Sequence, residues 1–272
     1  MLRLGKVKRA IRRAIARHHR APLITMIHEI ASFIESAWHN DDLDIESDGE
    51  RFVLTRLGSA SFRLAIDVGA NIGDWTREAV TLWPNCRVHA FEPAPRIHEC
   101  LEVMASGLSA SDRVEIHNVG LSDQAGSQTL YYYPDHPDLT GDVARHPGYE
   151  AIPIEARMET LDGFCSQRGI KAIDYLKIDV EGAEHRVLKG ARGLIGSDSI
   201  ACIQFEHGPF WLDSRFLLKD YFDLLAERFF IGKIFPQDVA FSEYDWRAED
   251  LRFSNYLCIS RSRPDLRRLI EG

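Results

Sequence analysis

The chain has 272 residues, of which 45% are hydrophobic and 27% charged, so it is long and apolar enough for a globular core and is neither disordered nor fibrous. The formal net charge of -8 is uneven: residues 1–20 carry eight cations and no acid, which leaves 25 basic against 41 acidic residues in the rest. An acidic body of this kind excludes nucleic acid as the expected partner, because such binding depends on neutralising phosphates.

Five scattered cysteines form no C-x-x-C pair, so the sequence indicates neither a disulfide framework nor a zinc site. No apolar run approaches the roughly 20 residues that cross a bilayer, and the N-terminus has charge where a signal peptide has its apolar segment. We therefore expect a cytoplasmic protein.

The N-terminus predicts a basic amphipathic helix over residues 2–20. Its apolar positions recur at helical spacing, and cations fill the other face. These apolar positions are Leu4, Val7, Ile11, Ala14 and Ile15. Three interpretations stay open: a solvated or packing arm, which includes contact within a homo-oligomer; peripheral contact with the inner membrane surface; and, least favoured, nucleic acid.

A second helical pattern begins at Pro22, and a β-hairpin is predicted from residues 43–47 and 51–57 around Asp48-Gly49. Residues 1–60 are thus expected to form a cap, 61–262 the main domain, and 263–272 a tail.

The main domain alternates strand and helix patterns, which indicates a parallel sheet with helices on both faces. The predicted strands are Leu64–Val68, Arg87–Phe91, 113–119, 173–180 and 200–205, followed by a terminal pair at Phe229–Phe235 and 255–260 that closes the sheet as an antiparallel edge. An insertion over about 127–157 contains a polar loop, 134–148. A loop of this length is typical of a binding site or a lid.

The first strand ends in the turn I-D-V-G-A-N-I-G-D, residues 66–74. It lacks the Lys-Ser or Lys-Thr of a phosphate loop, and it has Asn71 and Asp74 where a Rossmann turn needs glycines. Asp67 and Asp74 would also repel a pyrophosphate. They suit a cationic nucleoside such as S-adenosylmethionine, which carries a sulfonium and no phosphate.

The second strand ends in Ala90-Phe91-Glu92-Pro93, so a carboxylate stands about 20 residues after the turn, where it can accept both ribose hydroxyls. The third strand ends in Asn118 and Val119, which would lie beside the adenine. The alternative is that Asp67 and Glu92 only cap helices.

The fourth and fifth strands end in charged groups: Lys177, Asp179 and Glu181 on one, Glu206 and His207 on the other. Such groups are costly in a core and natural in a cleft. Methyl transfer to oxygen needs a base to remove the hydroxyl proton, and these carboxylates and the imidazole are the candidates. A structural ion-pair network is the alternative; a divalent metal is compatible with this site but not required by the sequence.

Five motifs together resemble the FkbM family of S-adenosylmethionine-dependent methyltransferases: D-V-G-A-N-I-G, A-F-E-P, N-V-G-L-S-D, L-K-I-D-V-E-G-A-E and Q-F-E. The resemblance covers about residues 64–260. It implies a Rossmann-like class I methyltransferase fold, with a seven-stranded, mostly parallel sheet and an antiparallel last strand, and O-methylation of sugar or polyketide-like hydroxyls.

The predicted site follows from the motifs and this resemblance. The residues predicted to bind the donor are Asp67, Gly69, Ala70, Asn71, Gly73, Glu92, Pro93, Asn118, Val119 and Asp179. The residues predicted on the catalytic side are Lys177, Asp179, Glu181, Glu206 and His207.

We expect O-methylation of a sugar, a glycan or glycolipid, or a secondary metabolite. Two alternatives remain: N-methylation of an amine or peptide, and a membrane-docked nucleoside-binding module without catalysis.

Overall fold

The computed structural model describes residues 2–42 and 44–272, which fall into two compact units, Met1–Asp41 and Asp42–Gly272. The first unit contains helices α1 (Leu2–Arg17) and α2 (Pro22–Trp38). Pro22 occupies the start of α2, where its missing N–H costs nothing. Both helices confirm the predicted periodicity. Within the described residues, no helix combines the length and apolarity that crossing a bilayer requires.

The second unit is an α/β domain. Its strands are β1 (Leu64–Val68), β2 (Arg87–Phe91), β3 (Val114–His117), β4 (Gly120–Leu121), β5 (Gly126–Tyr132), β6 (Ile152–Glu159), β7 (Ile173–Ile178), β8 (Ile200–His207), β9 (Phe229–Phe235), β10 (Asp238–Phe241) and β11 (Ser254–Ser260). Its helices are α3 (Glu50–Arg56), α4 (Asp74–Leu82), α5 (Pro95–Ser106), α6 (Leu161–Arg168), α7 (Glu184–Gly190), α8 (Arg192–Gly196), α9 (Trp211–Ser214), α10 (Leu218–Leu225) and α11 (Pro264–Glu271).

The main sheet has the order β10-β9-β11-β8-β7-β1-β2-β3. Strands β8, β7, β1, β2 and β3 are parallel, whereas β11 runs antiparallel between β8 and β9. This confirms the Rossmann-like fold with two differences. The sheet has eight strands, because β10 folds back on β9 as an added edge, and the last strand lies inside the sheet. A second sheet, β4-β6-β5, carries the predicted insertion.

Strand alternation sends successive side chains to two hydrophobic cores. Ile66, Leu176 and Phe205 face the core that is covered by α6, α7, α8 and α10. Ala65 and Tyr175 face the opposite core, which is covered by α3, α4 and α11. The charged residues of the strands alternate in the same way, so only those on the same side of the sheet can contact one another.

The predicted hairpin around Asp48-Gly49 is wrong, because residues after Gly49 form helix α3; Leu43, where the hairpin would begin, lies outside the described residues. Val53, Leu54 and Leu57 are fully buried at helical spacing. Gly49 starts the helix at φ 100°, where an added Cβ would stand 2.2 Å from the carbonyl oxygen of Phe235. Packing on the end of β9 therefore fixes a helix at this position.

Two expected boundaries also change. The compact unit begins at Asp42 rather than 61, because α3 packs into its core. The expected tail 263–272 contains α11, whose Leu266 and Ile270 are buried in the same core.

Candidate active site

A cavity of about 330 Å³ opens at the carboxyl ends of β1, β2, β7 and β8, within the 300–1,000 Å³ typical of small-molecule sites. The predicted loop also contributes, because residues 137–142 line the cavity. Among the lining residues, all in the described part of the chain, there is no lysine, arginine or histidine, and eight are acids. The acids are Asp48, Glu50, Glu92, Asp138, Asp142, Asp179, Glu181 and Glu206.

The turn after β1 is fixed by close backbone packing. Gly69 has φ 80°, and a Cβ there would stand 1.7 Å from the carbonyl oxygen of Asp179. Asn71 follows at φ 48°, a left-handed conformation that asparagine tolerates better than most residues. Its side-chain Oδ1 is buried and has no hydrogen-bond partner within the described chain, although the residue lines the cavity. A polar atom of this kind calls for a hydrogen-bond donor on a ligand.

Glu92 lines the same wall and is only 5% exposed. Its Oε2 accepts from the backbone N–H of Asn71 at 3.1 Å and its Oε1 from that of Ala94 at 2.8 Å. Burial raises the pKa of Glu92 to about 7, although these hydrogen bonds lower it. Each carboxylate oxygen has a second lone pair, so the backbone contacts leave acceptor capacity for two ligand hydroxyls.

Asp179, Glu181 and Glu206 form a carboxylate cluster whose ligand atoms all lie within 4.8 Å of one another. Burial, and then the neighbouring carboxylates, with Asp179 first, raise the pKa values of Glu181 and Glu206 well above their ordinary range. Glu181 has φ 56°, a conformation that a non-glycine residue adopts at some cost. The geometry of this carboxylate cluster also suits a divalent cation.

Lys177 lies beneath the carboxylate cluster and does not line the cavity. Its Nζ donates to Oδ2 of Asp179 at 2.9 Å and stands 4.0 Å from Oε1 of Glu50. Burial works against the charge, but the carboxylates of Asp179, Glu50 and Asp67 raise the pKa of Lys177. The predicted common face of Lys177 and Asp179 is confirmed, and Lys177 supports Asp179 from outside the cavity.

Four lining acids were not singled out as site residues by the sequence: Asp138 and Asp142 in the loop, and Asp48 and Glu50 at the start of α3. Glu50 is buried and accepts from Nε2 of Gln204, and burial raises its pKa. Burial, followed by the charge of Glu50, raises the pKa of Asp48 to about 8. The helical spacing of Val53 and Leu57 was the available signal, since it would have placed both acids at a helix start.

The loop wall is held by Arg145. Its Nη1 donates to the carbonyl oxygen of Glu181 at 2.7 Å, and its Nε donates to Oδ2 of Asp213 at 2.6 Å. The guanidinium also lies 4.7 Å from the ring centre of Phe210, which lines the cavity. Loop and carboxylate cluster are thus joined. Tyr133 is buried and Tyr149 contacts the ring of His136 at a tilt of 39°, and neither tyrosine lines the cavity.

The structure places Gly69, Asn71, Glu92, Pro93, Asp179, Glu181 and Glu206 on the cavity wall, as the sequence predicts. Five predicted donor residues lie behind or beside it. They are Asp67, Ala70, Gly73, Asn118 and Val119.

Each has a structural reason for lying there. Asp67 is fully buried and accepts from the hydroxyl of Thr76 at 2.6 Å. Ala70 and Gly73 pack against side chains of α5. Val119 belongs to the core, and Asn118 donates to the carbonyl of Glu92 at 3.1 Å, so residues 120–122 line the wall instead.

His207 is not part of the cavity, so the prediction that it shares the cleft with Glu206 is wrong. Consecutive residues of β8 point to opposite faces, and His207 packs edge-on against Tyr221 in the core below α10. Its Nε2 is 4.0 Å from Glu249, too far for a hydrogen bond, and burial lowers the pKa of His207 to about 4.

Comparison with known proteins identifies the family of this domain. Residues 67–231 match the Methyltransferase FkbM domain. The chain is 36% identical over 154 residues to the 31-O-demethyl-FK506 methyltransferase FkbM of Streptomyces tacrolimicus, covering 47% of this chain and 58% of that protein. It is 26% identical over 190 residues to the 2-O-methyltransferase NoeI of Sinorhizobium fredii, covering 64% and 75%.

The chain thus spans less than two thirds of the FkbM relative. Among solved structures, a methyltransferase FkbM from Methylobacillus flagellatus aligns with a TM-score of 0.45 and 16% identity, over 73% of this chain and 44% of that one. The matched domain covers more than half of the chain, and it contains the turn, Glu92 and the carboxylate cluster. The chain therefore belongs to the FkbM methyltransferase family.

Proposed function

We propose that the chain is an S-adenosylmethionine-dependent O-methyltransferase that acts on a hydroxyl of a sugar, a glycan or glycolipid, or a secondary metabolite. The observation that carries the proposal is a single cavity with Asn71 and Glu92 on one wall and the carboxylate cluster on another. Two relatives are named for methyl transfer to oxygen, at position 31 of FK506 and at a 2-O position.

The residues of the first wall fit the donor. Glu92 retains acceptor capacity for the two ribose hydroxyls, and the unpaired Oδ1 of Asn71 can accept from a further N–H or O–H. The lining offers no cation for a phosphate and many carboxylates for a positive charge. When bound, S-adenosylmethionine supplies an electrophilic methyl group on its sulfonium.

The carboxylate cluster supplies the base. Glu181 and Glu206 have raised pKa values, so either can take a proton from a hydroxyl more readily than an ordinary exposed carboxylate. Glu181 and Glu206 lie close enough to share a proton, so a proton taken up there belongs to the pair rather than to one residue. Lys177 orients Asp179 from below, and Arg145 fixes the backbone at Glu181.

The test is an acceptor screen with methyl-labelled donor, including free sugars and lipid-linked oligosaccharides. Asp179→Asn and Glu206→Gln should each reduce turnover by about 100-fold or more, and Glu206→Gln should leave donor affinity within a few-fold. Glu227→Gln, an exposed residue outside the cavity, is the matched control. Absence of binding to both S-adenosylmethionine and S-adenosylhomocysteine would sink the proposal.

N-methylation of an amine or peptide is the second candidate, favoured by the eight acidic lining residues. A positively charged amine would be drawn into this cavity, but it would then have to lose its proton before attack. Mass spectrometry of the product separates an O-methyl ether from an N-methylamine.

We also place the enzyme in the cytoplasm as part of the proposal. All five cysteines are free, and four of them are buried, which suits a reducing compartment. Measurement of its distribution between cell fractions tests this placement. Homo-oligomerisation also stays a prediction, and sedimentation analysis of the purified protein would test it.

A further inference from the structure

Helix α2 presents an exposed apolar stripe. The helix has no buried residue, and Phe33 and Trp38 are 74% and 78% exposed. The members of the stripe recur at helical spacing along one side. They are Leu23, Met26, Ile27, Ile30, Phe33, Ile34 and Trp38. Polar residues, among them Glu29 and Glu35, occupy the remaining circumference. An exposed apolar stripe of this length marks an interaction surface.

Helix α1 is amphipathic in a different way. Val7, Ile11 and Ile15 are about half exposed on one side, while exposed cations fill the rest of the circumference. The described cations of the helix are Lys6, Lys8, Arg9, Arg12, Arg13 and Arg17. The sequence contains no acid before Glu29, so no acidic side chain within α1 neutralises these charges.

We propose that α1 and α2 dock the protein onto an anionic lipid surface. The cations of α1 attract acidic headgroups, and each cation near such a surface strengthens binding several-fold. The stripe of α2 enters the boundary between headgroups and acyl chains, where Trp38 suits the interface. Long lysine and arginine stems extend outward to reach the headgroups while the apolar residues are buried.

Charge complementarity selects lipid over a second copy of the chain. Pairing two copies through the α2 stripe would bury the apolar side chains, but neither α1 helix offers an acid to the cations of the other. An anionic membrane accommodates both features at once, since it offers negative charge and apolar volume at adjacent depths.

The full chain, sedimented with vesicles, tests the proposal. It should bind phosphatidylcholine vesicles that contain phosphatidylglycerol at least about tenfold more tightly than vesicles of phosphatidylcholine alone. Binding should weaken strongly between about 0.1 M and about 1 M salt, because the Debye length falls from about 10 Å to about 3 Å. Equal binding to both vesicle types, or no binding to either, overturns the proposal.

Two variants separate the electrostatic and apolar contributions. The charge variant carries Arg9→Gln, Arg12→Gln, Arg13→Gln and Arg17→Gln, and should lose on the order of 100-fold or more in partitioning. Its matched control makes the same change at exposed cations of the second unit, Lys171→Gln, Arg192→Gln, Arg228→Gln and Arg268→Gln, and should bind like the parent protein. Equal losses in variant and control would show that net charge alone acts, and would overturn the assignment to α1.

The apolar variant combines Phe33→Gln and Trp38→Gln, and its control is Val103→Gln, an equally exposed apolar residue on α5. Vesicle binding should fall at least about tenfold in the variant and stay constant in the control. Retained vesicle binding together with a dimer that dissociates in the variant would overturn the proposal and assign the stripe to a second copy. Circular dichroism should show unchanged helix content, because all substituted side chains are exposed.

Discussion

Glu92→Gln tests the proposed donor wall directly. The two carboxylate oxygens of Glu92 accept one backbone N–H each, from Asn71 and Ala94. In glutamine one oxygen becomes an NH₂ group, so one buried backbone N–H faces a donor and loses its partner. An unsatisfied buried donor costs about 1–3 kcal/mol, and denaturant unfolding should show a loss of stability in that range.

In this variant the methyl donor, S-adenosylmethionine, should lose one of its two ribose hydrogen bonds to residue 92. A hydrogen bond to a charged group contributes about 1.5–3 kcal/mol, so the Kd for S-adenosylmethionine measured by calorimetry should rise about 10- to 150-fold. Because burial raises the pKa of Glu92 to about 7, donor affinity of the parent protein should also weaken as the pH falls through 7. The Glu92→Gln variant should lack this pH dependence.

Glu184→Gln is the matched control. Glu184 is equally buried and burial raises its pKa to about 7, but it does not line the main cavity. Both of its backbone hydrogen bonds, from Val180 and Gly182, go to the same oxygen, so a glutamine carbonyl can keep them. Donor affinity and stability should therefore change little. Parent-like donor affinity in Glu92→Gln, or an equal loss in Glu184→Gln, would refute the assignment.

Three further predictions follow from the same geometry. Gly69→Ala should cost at least about 2 kcal/mol of stability and abolish binding of S-adenosylmethionine, because the new Cβ would meet the carbonyl of Asp179. The control Gly148→Ala places its Cβ in open space and should cost under about 1 kcal/mol in the same unfolding assay. Stability of the donor-free protein should fall as the pH rises from about 6.5 to about 8, because burial raises the pKa values of Asp48 and Glu92 from 3.8 and 4.5 to about 8 and about 7. Below about pH 6.5 the lowered pKa of His207 acts in the opposite direction, so the test is confined to this range. Thermal unfolding measures the change, and a rise in stability would contradict the prediction. Chelation by EDTA should leave turnover within about twofold, because the raised pKa values let the carboxylate cluster hold a proton in place of a cation; loss of turnover restored by Mg²⁺ would instead assign the cluster to a metal.

The sequence predicted the fold well where short apolar runs alternate with helical patterns. The bounds of β1, β2 and β9 agree with the structure residue for residue. Each is a strand whose ends are marked locally by charged, glycine or proline residues. The site was predictable where strand ends carry carboxylates, as at Glu92, Asp179 and Glu206, because the ends of parallel strands meet at one edge.

Alternation along a strand also decides which side chains cannot share a face, and the sequence alone did not show which residues of β8 face the cavity. Glu206 and His207 are neighbours in the chain, yet only Glu206 reaches the cavity. Which side chains of β8 face each core depends on the helices that cover that core, and these helices come from segments distant in the sequence. The same holds for Asp67, which the turn motif suggested but which is fully buried behind the cavity wall, with Oδ2 accepting from the hydroxyl of Thr76.

What the sequence determined by itself is local: the order of strands and helices, the glycine turn with its following carboxylate, and two amphipathic N-terminal helices. What only the tertiary structure decided is long-range. Glu50 joins the floor of the site through a hydrogen bond to Gln204, 154 residues away, and Arg145 links the loop to Glu181 across 36 residues. No spacing pattern reports such contacts, because they depend on how helices and loops pack over the sheet rather than on the conformation of any one segment.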